Sequence, residues 1–239
     1  MTRSYMLTSC VESQALVDLG PWYHDFTSLG VRVPQRPEPF YAINQRCKEG
    51  PILALLQLAL EKARRTSGDR PSVLELFCAD GYYAAHARRM GAGEVLGLDL
   101  DASSLAQANA MFAFLFGERD RFIAADVLSF VPGDAFDVVV CCGGLYHLAD
   151  PAALLARCRT TLGRHYLVVQ TVVSETTDDE GYFVTPAPEW RHGSRFSASW
   201  VRAALRRCGW HPVVEHVNVL EGNTRPVDRG SFYALCEPA

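Results

Sequence analysis

The stretch Val73-Leu74-Glu75-Leu76-Phe77-Cys78-Ala79-Asp80-Gly81-Tyr82-Tyr83 reads as a buried strand that runs through a tight turn into a helix. Such a turn sets backbone N–H groups and a helix N-terminus at the carboxyl edge of a sheet, where open α/β folds bind ligands. Asp99 closes the next apolar run, 24 residues after Glu75. A carboxylate at that point is placed to accept hydrogen bonds from both ribose hydroxyls of an adenosine.

Working outward, short β-branched runs alternate with helical segments from Ser72 onward, the pattern of βαβ units around a parallel sheet. Strands are expected at Ser72–Phe77, Glu94–Asp99, Phe122–Ala125, Phe136–Cys142, Tyr166–Val173, Pro212–Leu220 and Ser231–Glu237. Helices are expected at Tyr82–Met90, Ser103–Phe116, Ala152–Leu162 and Ala198–Cys208, the first three starting near Asp80, Ser103 and Pro151. Glu221–Gly230 is too short and turn-rich for a helical crossover, so the last two strands should pair as an antiparallel hairpin. The fold class is therefore α/β, with a seven-stranded, mostly parallel sheet and a C-terminal hairpin.

Ahead of the sheet, residues 21–41 crowd together Pro21, Trp22, Tyr23, His24, Phe26, Pro34, Pro37, Pro39, Phe40 and Tyr41. This composition suits a cap, joined to the first strand by a helix over Ile52–Arg65. The expected division is a cap with its connecting helix over residues 1–65 and a ligand-binding domain over 66–239. A second insertion, Ser174–Ser197, is acidic first and aromatic later.

At 239 residues, 49% hydrophobic and 21% charged, the chain has the composition of an ordinary folded domain, which excludes disorder and fibrous repeats. No apolar run reaches the ~18 residues of a membrane span. The N-terminus lacks the apolar stretch of a secretory signal, so a cytoplasmic location is the default expectation. Eight cysteines show neither a C-x-x-C pair nor a matching Cys/His spacing, so reduced thiols are expected rather than a metal site or a disulfide frame. A formal charge of −4 without any basic block argues against nucleic acid as a partner. Oligomeric state is not legible.

Four segments in order resemble the motifs of the class I S-adenosylmethionine-dependent methyltransferases. Their first motif, E/D-x-G-x-G-x-G, falls on Glu75, Phe77, Ala79 and Gly81, with its first two glycines replaced. Leu96-Gly97-Leu98-Asp99-Leu100 resembles the second, implying Asp99 on the ribose and Leu100 against the adenine. Ala125-Asp126-Val127 resembles the segment that reads the adenine amino group. Phe136 to His147 resembles the fourth-strand motif, whose end, at Cys142, lines the methionine part. The resemblance implies a Rossmann-like fold, S-adenosyl-L-methionine as cofactor, and Glu75, Phe77, Ala79, Gly81, Asp99, Leu100, Asp126, Val127 and Cys142 around it. Phe77 is expected to add bulk where backbone should approach the ligand.

Asp18-Leu19-Gly20-Pro21-Trp22-Tyr23-His24 and Gly144-Leu145-Tyr146-His147-Leu148-Ala149-Asp150-Pro151 resemble a subgroup related to the tRNA wobble-uridine carboxymethyltransferases, which also includes enzymes of small-molecule biosynthesis. The net charge favours a small-molecule acceptor, methylated on oxygen, nitrogen or electron-rich carbon, in specialised metabolism. His24, with Tyr23 beside it, is a candidate base, since imidazole titrates near ~6.5, or else a bonding group within an aromatic cap. His147 is the competing base, or a brace for its loop. Trp22 is a candidate for a stacking wall or for the core of the cap, Tyr146 for the acceptor wall or a loop brace, and Trp190 and Arg191 either suit a flat or anionic acceptor or belong to a solvated loop. The alternatives are a tRNA-modifying transferase, a dehydrogenase, for which Phe77 and Ala79 spoil G-x-G-x-x-G, and a non-catalytic nucleotide-binding module.

Overall fold

The computed structural model describes residues 10–239. Its sheet strands are β1 (Val73–Leu76), β2 (Val95–Asp99), β3 (Phe122–Ala124), β4 (Phe136–Cys142), β5 (Gly163–Val173), β6 (Trp210–Val219) and β7 (Gly230–Pro238). They lie in the order β6-β7-β5-β4-β1-β2-β3. Neighbours from β3 to β5 are parallel, whereas β7 runs antiparallel to both β5 and β6. This is the expected α/β architecture with its C-terminal hairpin. The order reverses between β1 and β4, which opens a crevice at the carboxyl ends of those two strands.

Period-two alternation divides the sheet between two cores. Val138, Val140 and Cys142 of β4 face a cluster that includes helices α1 (Pro39–Ser67), α2 (Tyr82–Arg89) and α3 (Ala102–Phe116). Val139 and Cys141 face the opposite cluster, with α4 (Pro151–Arg157) and α5 (Ala198–Arg207). Gly81 caps α2 in a left-handed conformation, where a β-carbon would meet the Phe122 ring at 2.8 Å. The caps of α3 and α4 are Asp101 and Asp150, one or two residues before the expected starts, and α4 relaxes into a wider turn over Cys158–Leu162.

The expectation for Ile52–Arg65 needs correction, because α1 begins at Pro39 and runs straight through Pro51. A proline removes the N–H that would bond the carbonyl four residues earlier. That orphaned carbonyl, of Cys47, instead accepts from the Asn218 amide at 2.9 Å and the Tyr233 hydroxyl at 3.4 Å, both on the terminal hairpin. A tertiary contact replaces the lost local one, and the helix is not broken.

The first nine residues of the expected cap lie outside the described residues. From Cys10 to Glu38 the segment has little regular structure, yet Trp22, Phe26, Leu29 and Val31 share one core with α1 and α2. Polar ties hold it down. Gln107 of α3 donates to the carbonyls of Leu19 and Pro21, and Arg89 to that of Leu29. All eight cysteines are unpaired, and five are buried. Among the described residues, no helix is long and apolar enough to cross a membrane.

Candidate active site

A cavity of about 210 Å³ opens at the switch point, lined by residues from every segment that converges there. Glu75, Phe77, Cys78 and Ala79 come from the first turn, Asp99 from β2, and Cys142, Gly143, Tyr146 and His147 from the end of β4. Tyr23 and His24 reach it from the N-terminal segment.

The turn keeps a glycine backbone without the glycines. Phe77 has φ 56° and Ala79 φ 45°, followed by Gly81 at 76°. A left-handed conformation costs a non-glycine residue roughly 1–2 kcal/mol, so the tertiary structure must hold it in place. Asp99 does part of this, accepting from the Ala79 N–H at 2.9 Å with one oxygen and from Leu100 and Asp101 with the other. The Phe77 ring lines the cavity and packs against Gly144, where any β-carbon would lie 1.8 Å from it, so the missing side chain of Gly144 makes room for the ring.

Glu75 is buried, and one of its oxygens accepts from the Ala84 N–H at 2.8 Å. Burial, reinforced by Asp80 and Asp99, pushes its carboxyl well above the usual range. Gly81 shapes the turn and does not line the cavity. Leu100 and Asp126 are exposed at the ends of β2 and β3, outside the enclosed space, with the Asp126 carboxylate accepting from the Leu128 N–H. Val127 points into the core, which is a correction to its expected place beside a ligand.

His24 is 5% exposed, and its Nδ1 lies 2.6 Å from Asp80 Oδ1. Asp80 Oδ2 accepts from the His24 backbone N–H at 2.7 Å, so one carboxylate holds both the chain and the ring. Tyr82 stacks on the imidazole at 4.6 Å. With Nδ1 engaged, Nε2 is the ring nitrogen left for the cavity.

A second cavity, of about 350 Å³, is lined by Phe40, Tyr146, His147, Trp190, Arg195, Arg225 and Asp228, among others. Tyr146 and His147 belong to the walls of both cavities, whereas Tyr23 and His24 belong only to the first. His147 is an exposed residue, yet desolvation of its ring at this junction, with Arg195 and His192 nearby, lowers its pKa below the ordinary value. Trp22 is fully buried, edge-on to Phe26, with its indole N–H bonded to the Leu16 carbonyl. It is core and not acceptor wall. Arg191 is exposed and lines neither cavity, so the arginines of this site are Arg195 and Arg225.

Sequence reasoning missed Lys48 and Gln170 in the first cavity, Asp80 behind it as the partner of His24, and Arg195, Arg225 and Asp228 in the second. Two of these carried a signal. Asp80 sits inside the decisive turn, and Gln170 is a lone amide in the apolar run Leu167–Val173. The arginines and Asp228 come from separate loops, and no local pattern joins them.

Residues 73–164 match the model of a methyltransferase domain family. The ubiquinone biosynthesis O-methyltransferase of Albidiferax ferrireducens is 34% identical over 90 residues, covering 37% of this chain and 35% of that protein. A tRNA U34 carboxymethyltransferase of Colwellia psychrerythraea is 28% identical over 146 residues, or 59% of this chain and 45% of that one. The match thus spans less than half the length of these curated relatives. The N-terminal domain of EvdMO1, solved with S-adenosylhomocysteine (SAH) and D-fucose, shares the fold with a TM-score of 0.61 at 18% identity, over 95% of both chains. Sheet order, switch-point cavity and family match agree, and the chain carries a methyltransferase domain in the class I S-adenosylmethionine-dependent methyltransferase fold.

Proposed function

We propose that the protein transfers a methyl group from S-adenosylmethionine to a small molecule held in the second cavity, in specialised metabolism, at an oxygen, nitrogen or electron-rich carbon. The observation that carries this reading is the wall shared by the two cavities at Tyr146 and His147.

The first cavity fits the cofactor's charge. Asp80 and Asp99 lie at the turn, matching a cation-bearing ligand, while burial disfavours the charged form of Glu75, and among the described residues Lys48 is the only lysine or arginine in the wall, suited to a carboxylate. Gln170 is 1% exposed, and its Oε1 has no hydrogen-bond partner among the described residues, so a buried acceptor in the wall stands ready for an ammonium donor. Asp99 would hold the ribose, and Leu100 and Asp126 would flank the adenine at the open end. When bound, the cofactor supplies a methyl carbon activated on sulfur for in-line displacement.

The residues of this chain then position the acceptor and take its proton. Tyr146 and His147 hold the reacting atom at the boundary, where a geometry within ~3–3.5 Å of attack supplies most of the rate. The His147 imidazole, whose pKa is lowered by desolvation and by nearby Arg195 and His192, accepts the proton of an O–H or N–H acceptor. His24, oriented by Asp80, closes the N-terminal segment over the cofactor as part of a cap formed by residues 10–65.

The tRNA reading, favoured by the carboxymethyltransferase relatives, requires a phosphate-tracking surface, and the formal charge of −4 weighs against it. Calorimetric titration with SAH and a tRNA gel shift separate the readings. Micromolar SAH binding without a shift is expected. A tRNA shift at physiological salt would replace the small-molecule reading, and failure to bind SAH would overturn the methyltransferase reading.

A further inference from the structure

We infer that the second cavity selects a planar acceptor carrying a carboxylate, held by Arg195 and Arg225 while its reacting group faces His147. This deepens the methyltransferase reading and rests on it for the identity of the reaction.

The charge of the wall is the first argument. Its fixed charges are the guanidinium groups of Arg195 and Arg225 against the single carboxylate of Asp228. Asp228 Oδ1 bonds Arg195 Nε, and its Oδ2 lies 3.5 Å from Arg225 Nη1, so one acid anchors both arginines and leaves one positive charge unmatched. Glu189 lies 3.4 Å from Arg225 but is 79% exposed, so water screens it. Arg195, only 5% exposed, takes Asp228 as its partner, which leaves Arg225 with the longer contacts to Asp228 and Glu189 and free to meet an anion.

The arginines are also held for recognition. Arg195 Nη1 donates to the carbonyls of Ser194 at 2.8 Å and Tyr146 at 3.4 Å, and Arg225 Nη2 to that of Pro188 at 2.9 Å. The loop carrying Arg225 and Asp228 is pinned to α1 through Asn44, which bonds the Gly222 N–H and the Asn223 side chain. Planar guanidinium forks held this way match a carboxylate in two-point geometry.

Shape supplies the remaining argument. Phe40, Tyr146 and Trp190 provide three aromatic faces, and Phe40 and Trp190 are 40% and 49% exposed despite their size. A volume of about 350 Å³ falls at the small end of the ~300–1,000 Å³ typical of small-molecule pockets, which suits one or two fused rings. Arg195 contacts Tyr146 at the boundary and His147 lines both cavities, so an anion at the arginines sets a neighbouring group of the acceptor beside His147.

The test is calorimetric titration of 1-hydroxy-2-naphthoate and its uncharged amide, each with and without saturating SAH. The wild type should bind the acid at least tenfold more tightly than the amide. Arg225→Gln should abolish that preference, Arg225→Lys should keep part of it, and SAH affinity should stay unchanged in both. Equal binding of acid and amide, or binding of neither, would overturn the inference even if SAH binds. A preference for the acid in a protein that does not bind SAH would leave the anion site standing and remove the methyltransferase reading.

Discussion

The ring of Phe77 occupies the space that a side chain on Gly144 would fill, with a would-be β-carbon 1.8 Å from Phe77 Cδ2. The two residues come from the ends of β1 and β4, on either side of the switch point. Phe77 can stand at a position that normally takes glycine because Gly144 yields space across the crevice. The turn keeps its left-handed backbone, and the ring braces the loop that carries Tyr146 and His147.

Gly144→Ala should therefore force one of the two loops to move, costing about 1–3 kcal/mol as overpacking does. Adding Phe77→Gly should recover most of that loss, so the pair should show a coupling of at least ~0.5 kcal/mol in a double-mutant cycle by urea unfolding. Additive effects would show that the ring and Gly144 do not compete for the same space.

His147→Ala should lower turnover by ~10²–10⁴-fold for an acceptor that must lose a proton, with SAH affinity nearly unchanged. The acid limb of the wild-type pH profile should lie below ~6.5, the usual imidazole value, because crowding and nearby Arg195 and His192 disfavour the charged ring. His24→Ala should act differently, weakening SAH binding because the N-terminal segment loses its tie to Asp80. Full turnover in His147→Ala with a collapse in His24→Ala would move the base to His24.

Every sheet strand and every large helix after Ser72 was legible, since alternating apolar runs and short turn-rich links report directly on a sheet buried on both faces. What failed did so where distant residues override local rules. Pro51 should end a helix, and only Asn218 and Tyr233, far along the chain, allow it to continue. Trp22 reads from composition as either a stacking wall or cap core, and only the fold decides, putting it in the core beside Phe26. The same limit hid the second cavity. Arg195 and Asp228 meet through two loops that no periodicity links, and Arg191, more conspicuous beside Trp190, faces solvent.

The Cys47 carbonyl gives a direct measure of that override. Asn218→Leu should destabilise the protein by about 1–3 kcal/mol in urea unfolding, the cost of a polar group left short of its partner. In a Pro51→Ala background the helix regains its own N–H donor, so the same change should cost less. An equal cost in both backgrounds would mean that Asn218 stabilises the hairpin through contacts other than the Cys47 carbonyl.

His86 sets a pH dependence of stability that does not involve the acceptor. Burial, with Arg89 and His24 nearby, lowers its pKa to about 4, while its Nε2 lies 3.2 Å from the Ser28 hydroxyl and its ring packs on Tyr82. In the unfolded chain the same group titrates near ~6.5. Between those values the unfolded state binds more protons than the folded state, so stability falls as the pH is lowered from about 6.5 to about 4 and the effect saturates below that. The full window is worth roughly 3 kcal/mol, at 1.36 kcal/mol per unit. His86→Gln keeps a polar group for Ser28 but cannot titrate. Its difference from wild type in unfolding free energy should therefore change across this window, with the variant losing less stability on acidification. Parallel pH profiles for the two proteins from pH 7 to 4 would show that His86 ionises as freely in the folded protein as in water, contrary to its burial against Tyr82.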